Sequence, residues 1–265
     1  MDRESILRLK VRLLTEGAFL PESEWGGRTG GAGPVGARYF IMPNGRCVGV
    51  PVRRGTAASR FGSAKLEPTE SPDVWIYDGA VRLRVVPRPR FYDGSTSDGV
   101  PYHKVAQLHG SSTLATTVYQ SCRYWSRGMQ CHFCTIPTSY RSGNTILEKR
   151  PSQFVQVLLS ALDEGSVTDV LLTTGTPDSA DVGITPLVDM IRAIREVSDI
   201  PIGVQFEPPR ELSLIDSVVE AGANAIGIHI ETADERLRAR VCPGKYAYGP
   251  LDLYVSAWQR GVELL

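Results

Sequence analysis

Short apolar segments alternate with amphipathic helical segments in the second half of the chain, and this alternation limits the folds open to it. The apolar segments, which we interpret as strands, span residues 113–120, 168–174, 201–207 and 224–230. A helical segment follows each of them, as in PSQFVQVLLSALDEG, which begins with Pro151 and ends with Gly165. Such alternation is typical of α/β proteins with a parallel sheet. Four βα units do not close an eight-stranded barrel. We therefore expect a partial (βα) TIM-like barrel, either an open arc or a fragment of a longer protein truncated at its C-terminus, and we favour the fragment.

The first hundred residues have a different pattern. An amphipathic helix is predicted over residues 4–18, and a glycine-rich stretch follows at 25–36. Asn44-Gly45 and Asp78-Gly79 each separate two apolar runs, which predicts two β-hairpins. The glycine-rich stretch lacks the ending of a phosphate-binding loop, and we expect either a structural loop or a lid over an active site. The sequence thus predicts a small, mainly β module over 1–107 and an α/β domain over 108–265.

Composition excludes several classes of function. The 265 residues carry a formal net charge of zero, which gives no electrostatic footprint for nucleic acid or for an anionic membrane. No apolar run approaches the ~20 residues that span a bilayer, and the N-terminus lacks the apolar core of a signal peptide. We therefore expect a cytoplasmic protein. Five cysteines, an odd number, argue against a disulfide framework and favour metal or thiol chemistry.

Three of the five cysteines lie in SCRYWSRGMQCHFC, directly after the first predicted strand. Cys122, Cys131 and Cys134 are separated by eight and then two residues, and active sites of parallel α/β folds collect at the carboxyl ends of strands. Three thiolates can hold a [4Fe–4S] cluster with one iron left open. They can also bind zinc if His132 supplies a fourth ligand, or remain unliganded. We expect the thiolate form to be favoured by nearby basic residues, namely Arg123, Arg127, Lys149 and Arg150.

The cysteine segment and the βα series after it resemble the radical S-adenosylmethionine (SAM) enzymes. The Cys131-His132-Phe133-Cys134 half of the motif matches that family, whereas the eight-residue interval before it departs from the usual three. The resemblance implies that Cys122, Cys131 and Cys134 bind three irons of a [4Fe–4S] cluster and that SAM chelates the fourth. It also implies that one electron cleaves SAM to a 5′-deoxyadenosyl radical, which abstracts hydrogen from an unactivated carbon. The long interval predicts a longer loop, in which Tyr124 and Trp125 pack over the cluster.

The same resemblance implies a set of cofactor-binding residues at the other strand ends. Phe133 would neighbour the adenine of SAM, and the turn after the second strand would contact its amino group. Arg240 would pair with its carboxylate, with Arg238 as the rival, because an arginine fork donates two parallel hydrogen bonds to a carboxylate. The remaining positions are those of the second turn and of the third and fourth strand ends: Thr174, Gly175, Thr176, Gln205, Glu207, His229 and Glu231. Each of them also has a structural interpretation, as a turn residue, a salt bridge or a cap.

Within the family, the chain resembles a branch near biotin and lipoyl synthases, including two-component lipoyl synthases and proteins associated with nitrilase gene clusters. This implies sulfur insertion as one reaction, an electron donor of the ferredoxin or flavodoxin type, and either a carrier-protein-bound substrate or a second radical SAM subunit as partner. Only Cys47 and Cys242 remain for an auxiliary cluster, too few for the usual kind. Cys47 is interpreted as a buried apolar residue, and Cys242 as either inert or a catalytic or sulfur-relay thiol.

Two other hypotheses stay open from the sequence. The cysteines could stabilise an α/β binding module through zinc, without SAM chemistry. They could also be incidental in a barrel enzyme that needs no metal. No catalytic residue, substrate or product is predicted.

Overall fold

The computed structural model describes residues 1–19, 37–52 and 65–265. The chain divides into two compact units, Met1–Pro89 with His109–Ser111, and Arg90–Leu108 with Ser112–Leu265. Residues 90–107, which the sequence interpretation placed in the N-terminal module, pack with the second unit. The glycine-rich stretch at 25–36 lies outside the described residues, and so does its interpretation as a loop or lid.

The first unit is a five-stranded antiparallel sheet with one helix. Helix α1 (Arg3–Thr15) begins after Asp2, whose carboxylate accepts a hydrogen bond from the Ser5 N–H at 2.7 Å. The strands are β1 (Ala37–Ile41), β2 (Cys47–Pro51), β3 (Leu66–Pro68), β4 (Val74–Tyr77) and β5 (Val81–Val85), in the order β2-β1-β5-β4-β3. Both predicted hairpins are confirmed. Asp78 and Gly79 have φ of 51° and 68°, the left-handed pair that matches the twist of a two-residue hairpin.

The second unit is built from alternating strands and helices. Its strands are β6 (Gln107–His109), β7 (Thr113–Thr117), β8 (Asp169–Thr173), β9 (Ile202–Gln205) and β10 (Ala225–Gly227). Its helices are α2 (Tyr102–Val105), α3 (Arg123–Ser126), α4 (Ile136–Arg141), α5 (Pro151–Asp163), α6 (Ile184–Arg195), α7 (Ser213–Glu220), α8 (Glu235–Val241), α9 (Pro243–Tyr248) and α10 (Leu251–Leu264). The prediction of an α/β fold with a partial TIM-like barrel is confirmed. The short elements β6, α2, α3, α4 and α9 were not predicted.

The four parallel strands β7 to β10 end in register at one edge of the sheet. The sheet order is β10-β9-β8-β7-β6. Thr117, the last residue of β7, pairs with Thr173, the last of β8, which in turn pairs with Gln205 at the end of β9. Gln205 pairs with Gly227 at the end of β10. The residues that follow these four ends therefore share one edge of the sheet, as the sequence predicted.

Helix α5 shows how the helices cover the sheet. Phe154, Val157, Leu158 and Ala161, spaced three or four residues apart, are all fully buried in the core cluster that includes Leu172 of β8. Its next residue, Leu159, faces outward with 47% of its surface exposed. No helix in the described part of the chain is long and apolar enough to cross a membrane.

Neighbouring leucines of α5 provide a matched test of this core. We expect Leu158→Ala to lower the free energy of unfolding by about 2–5 kcal/mol, because it leaves a cavity in the core. Leu159→Ala, the same chemical change at an exposed position, should change it by no more than about 0.5 kcal/mol. Urea titrations followed by tryptophan fluorescence measure both, and equal losses would contradict the assigned orientation of α5.

Candidate functional site

The loop with the three cysteines begins five residues after β7 ends. Cys122 is half-buried at the start of α3, Cys131 is buried, and the Cys134 N–H donates a hydrogen bond to the Cys131 carbonyl at 3.0 Å. Cys134 lies near enough to Cys122 and to Cys131 for its charge to act on the pKa of each. Burial raises the pKa of Cys122 and of Cys131 above that of a free thiol.

A fourth cysteine reaches the same place. Cys242 is fully buried at the junction of α8 and α9, close enough to Cys131 for each thiol to act on the pKa of the other. Neither sequence spacing nor strand periodicity indicated this proximity, because it depends on how α8 and α9 pack against the loop. Within the described residues, no three His, Cys, Asp or Glu side chains converge on a single point where they could hold a metal ion. The three cysteines nevertheless share one loop at the edge where the parallel strands end, and thiolates are the ligands that iron–sulfur clusters use.

The basic residues expected to favour the thiolates are engaged elsewhere. Arg127 forms an ion pair with Asp178 at 2.8 Å, and Arg150 pairs with Asp98. Arg123 lies over the Tyr248 ring and pairs with Glu207 at 3.3 Å. Lys149 donates to uncharged oxygens. The expectation that these four residues lower the thiol pKa is therefore wrong for Cys122 and Cys131.

The buried carboxylate of Glu207 ties the cysteine loop to the end of β9. The Tyr124 hydroxyl lies 2.8 and 3.0 Å from the two carboxylate oxygens of Glu207, and Arg123 donates to one of them. Burial raises the pKa of Glu207, opposed by the bond from Tyr124 and the charge of Arg123. The nearby Thr176 side chain also acts to lower it. The structure thus commits Glu207, predicted as a SAM contact, to holding the loop.

The turn after β8 packs directly under the cysteine loop. The Arg123 N–H donates to the Thr176 carbonyl at 2.8 Å, and the Gly175 N–H donates to the Tyr119 carbonyl at 2.9 Å. A side chain at Gly175 would collide with the Ser121 carbonyl, so only glycine fits at this position. The Thr174 hydroxyl donates to the Gly175 carbonyl at 2.8 Å. The predicted Thr174–Thr176 turn therefore lies against the loop that carries Cys122.

The predicted residues at the other two strand ends are also brought to this edge. Gln205 and His229 flank Gly227, where a side chain would approach both of them. Glu231 has φ of 72°, a conformation uncommon for residues other than glycine, and its carboxylate pairs with Lys245 at 2.6 Å. No role was predicted for Lys245 from the sequence, although it lies only three positions after Cys242.

Three predicted contacts lie on exposed or structural positions. Phe133 is 59% exposed, and Arg240 is exposed on α8. Arg238, its rival, is fully buried between the Tyr246 and Tyr254 rings, where it donates to the Gly249 carbonyl at 3.1 Å. Arg238 therefore fixes the packing of α8 and is not available to a ligand.

Lys149 is a buried amine at the end of β7, the strand that leads into the cysteine loop. Its ammonium donates to Gln120 Oε1 at 2.9 Å and to the Ile146 carbonyl at 2.7 Å, and the Gln120 amide donates to the Ile136 carbonyl at 3.2 Å. Burial lowers the pKa of Lys149 to about 7. These contacts connect the segment before α5 to the end of β7.

The Tyr124 hydroxyl can be tested by removing one oxygen. Tyr124→Phe keeps the ring but removes hydrogen bonds from the buried Glu207 carboxylate, so we expect a loss of about 1–3 kcal/mol in the free energy of unfolding. Tyr140→Phe, on an exposed residue of α4, should cost less than about 0.5 kcal/mol. Chemical denaturation compares the two variants. The assignment is wrong if Tyr124→Phe is as stable as Tyr140→Phe.

The lowered pKa of Lys149 predicts a pH dependence of stability. Between pH 7 and the ordinary lysine pKa of 10.5, the unfolded chain binds a proton at Lys149 that the folded chain does not. The wild type should therefore gain stability, relative to Lys149→Met, by on the order of a few kcal/mol as the pH rises through this window. Lys104→Met, at a partly exposed lysine of α2, should run parallel to the wild type. Denaturation at a series of pH values measures the difference, and a Lys149→Met curve parallel to the wild type would overturn the prediction.

Comparison with known proteins gives two matches relevant to this site. Residues 128–251 match the family model described as the radical SAM superfamily, a range that includes Cys131 and Cys134 and begins after Cys122. Among solved structures, the chain is similar to "Crystal structure of methylornithine synthase (PylB)", with 20% sequence identity and a TM-score of 0.43. That alignment covers 58% of this chain and 42% of the other, so the chain spans less than half of that structure. No curated protein matches. The match indicates a radical SAM domain over residues 128–251, and this superfamily implies a [4Fe–4S] cluster and SAM as cofactors.

Proposed function

We propose that this protein is a radical SAM enzyme in which Cys122, Cys131 and Cys134 hold the [4Fe–4S] cluster. The observation that supports this most is the position of the three neighbouring thiols. They lie in one loop at the edge where four parallel strands end, and two of them fall inside the matched radical SAM domain. Cys122 lies six residues before that domain but shares the loop and the charge environment of Cys134.

The bound cofactors would supply a 5′-deoxyadenosyl radical, which abstracts hydrogen from an unactivated carbon of the substrate. The residues around the loop would bind and orient SAM. The Thr174–Thr176 turn lies beside the loop that carries Cys122, while Gln205 and His229 present polar side chains from the next two strand ends. Phe133, exposed between two ligands, would lie against the adenine, as an aromatic face does on binding a planar ring.

This proposal assigns Glu207 and Arg240 roles that differ from those implied by the family resemblance. Glu207 is occupied by Tyr124 and Arg123, so its role is to position the cysteine loop. Arg240 is exposed on α8, so its side chain would have to change conformation to pair with the SAM carboxylate. Glu231, which pairs with Lys245 at 2.6 Å, remains a proposed polar contact.

The finer proposal is sulfur insertion of the lipoyl synthase kind, with a carrier-protein-bound acyl chain as substrate. Of the two remaining cysteines, Cys242 is buried against Cys131, and Cys47 belongs to β2 of the first unit. Because these two thiols are too few for an auxiliary cluster, a second radical SAM subunit is favoured as the source of sulfur. A ferredoxin or flavodoxin would deliver the electron.

Zinc is the second candidate, and the proximity of Cys131 and Cys242 favours it. With Cys242 included, four cysteine thiols lie in or against the loop, the number that a tetrahedral structural zinc site uses. In that case the protein would be a zinc-stabilised α/β binding module, and it would not cleave SAM.

Anaerobic reconstitution separates the two candidates. We expect a brown protein with about four irons per chain that, when reduced by dithionite, converts SAM to 5′-deoxyadenosine. Replacing any one of Cys122, Cys131 and Cys134 by serine should abolish both properties, because three thiolates are needed to hold the cluster. Cys47→Ser should leave both unchanged.

A colourless protein with stoichiometric zinc, stable against iron reconstitution, would reject the radical SAM proposal and support the zinc module.

For the finer proposal, adding an octanoylated carrier protein should increase the yield of 5′-deoxyadenosine severalfold over the non-acylated carrier. Equal yields would reject an acyl carrier substrate while leaving the radical SAM chemistry supported.

A further inference from the structure

The segment that joins α8 to α9 packs directly on the cysteine loop. The His132 N–H donates to the Val241 carbonyl, and the Gly244 N–H donates to the Met129 carbonyl, both at 2.9 Å. A side chain at Gly244 would collide with the Tyr124 ring, so the two segments approach as closely as glycine permits. This contact fixes the residues after Cys242 relative to the proposed cluster ligands.

Lys245 extends from this segment toward the edge of the sheet. Its ammonium donates to the His229 carbonyl at 2.8 Å and to Glu231 Oε1 at 2.6 Å. Its side chain is only 18% exposed, so water screens its charge weakly. Glu231 adopts its left-handed backbone conformation at this contact, and such strain persists where the surroundings hold it in place.

The backbone contacts place Lys245 next to the Cys131 position. Gly244, the residue before Lys245, is hydrogen-bonded to Met129, which lies two residues before Cys131. Val241 is hydrogen-bonded to His132, the residue after Cys131, and Cys242 is fully buried between these two contacts. Lys245 is therefore a cation beside the Cys131 ligand position, with Glu231 as its counter-charge.

A cluster held by three thiolates carries excess negative charge, and accepting an electron adds more. In a partly buried site, a fixed cation stabilises the more negative state most, so it favours the reduced form. We infer that Lys245 is a positioning residue that raises the reduction potential of the cluster and that Glu231 moderates this effect. This inference rests on the proposed function, since it needs the cluster on Cys131.

The test is an anaerobic potentiometric titration of the reconstituted protein without SAM, with the reduced cluster followed by electron paramagnetic resonance. Lys245→Gln should shift the midpoint potential to more negative values, so that only a minority of clusters are reduced at the wild-type midpoint. Lys245→Arg should restore it, because the charge returns. Glu231→Gln should shift it in the opposite direction, to more positive values. Arg236→Gln, which removes a charge from the exposed surface of α8, should leave it unchanged.

The opposite signs separate an electrostatic role from a structural one, since loss of packing would not move the potential in both directions. Unchanged potentials in both Lys245→Gln and Glu231→Gln, at wild-type iron content, would overturn the inference and leave the proposed function intact. If Lys245→Gln does not hold the cluster, the other two variants decide. A positive shift of the midpoint potential in Glu231→Gln, together with a wild-type potential in Lys245→Arg, supports the inference. Any other result overturns it. A wild type that binds no iron rejects the proposed function instead.

Discussion

The contact between Tyr124 and the Glu207 carboxylate determines how the cysteine loop can fold. A carboxylate buried at a strand end is costly unless hydrogen-bond donors surround it. Glu207 finds them in Tyr124 and Arg123, both of which belong to the loop. Because the loop supplies these donors, the segment between Cys122 and Cys131 must return to the sheet. The position of the thiols follows from that constraint.

This constraint also accounts for the long interval between the first two cysteines. Eight residues allow a turn of helix at α3 and a left-handed residue at Gly128, where φ is 67°. The Met129 N–H then donates to the Tyr124 carbonyl at 2.8 Å, so the chain reverses direction before Cys131. The eight-residue interval is thus used for an additional contact with the sheet.

The sequence was a good guide to the strands, because their period and composition are local properties. The ends of β7 to β10 could be placed from short apolar runs such as 168–174, and parallel pairing then required that the polar residues after them share an edge. The short helices were harder to predict from the sequence. Helix α9 has an early Pro243 but too few residues to show periodicity, and its position depends on packing against Tyr124.

The roles of individual site residues were hardest to predict, because the same side chain can serve a ligand or the fold. Glu207 and Arg238 have the chemistry of ligand contacts, yet one holds the loop and the other is buried between two rings. Only their partners distinguish the two uses, and those partners are distant in sequence. Lys245 is the converse case: its sequence position gave it no stated role, but its burial and its pairing with Glu231 place a cation beside the thiols. In this fold, a polar residue's function is therefore determined by the groups that already bind it, and the Lys245–Glu231 ion pair beside the cysteine loop is the charged group that can act on a bound cofactor.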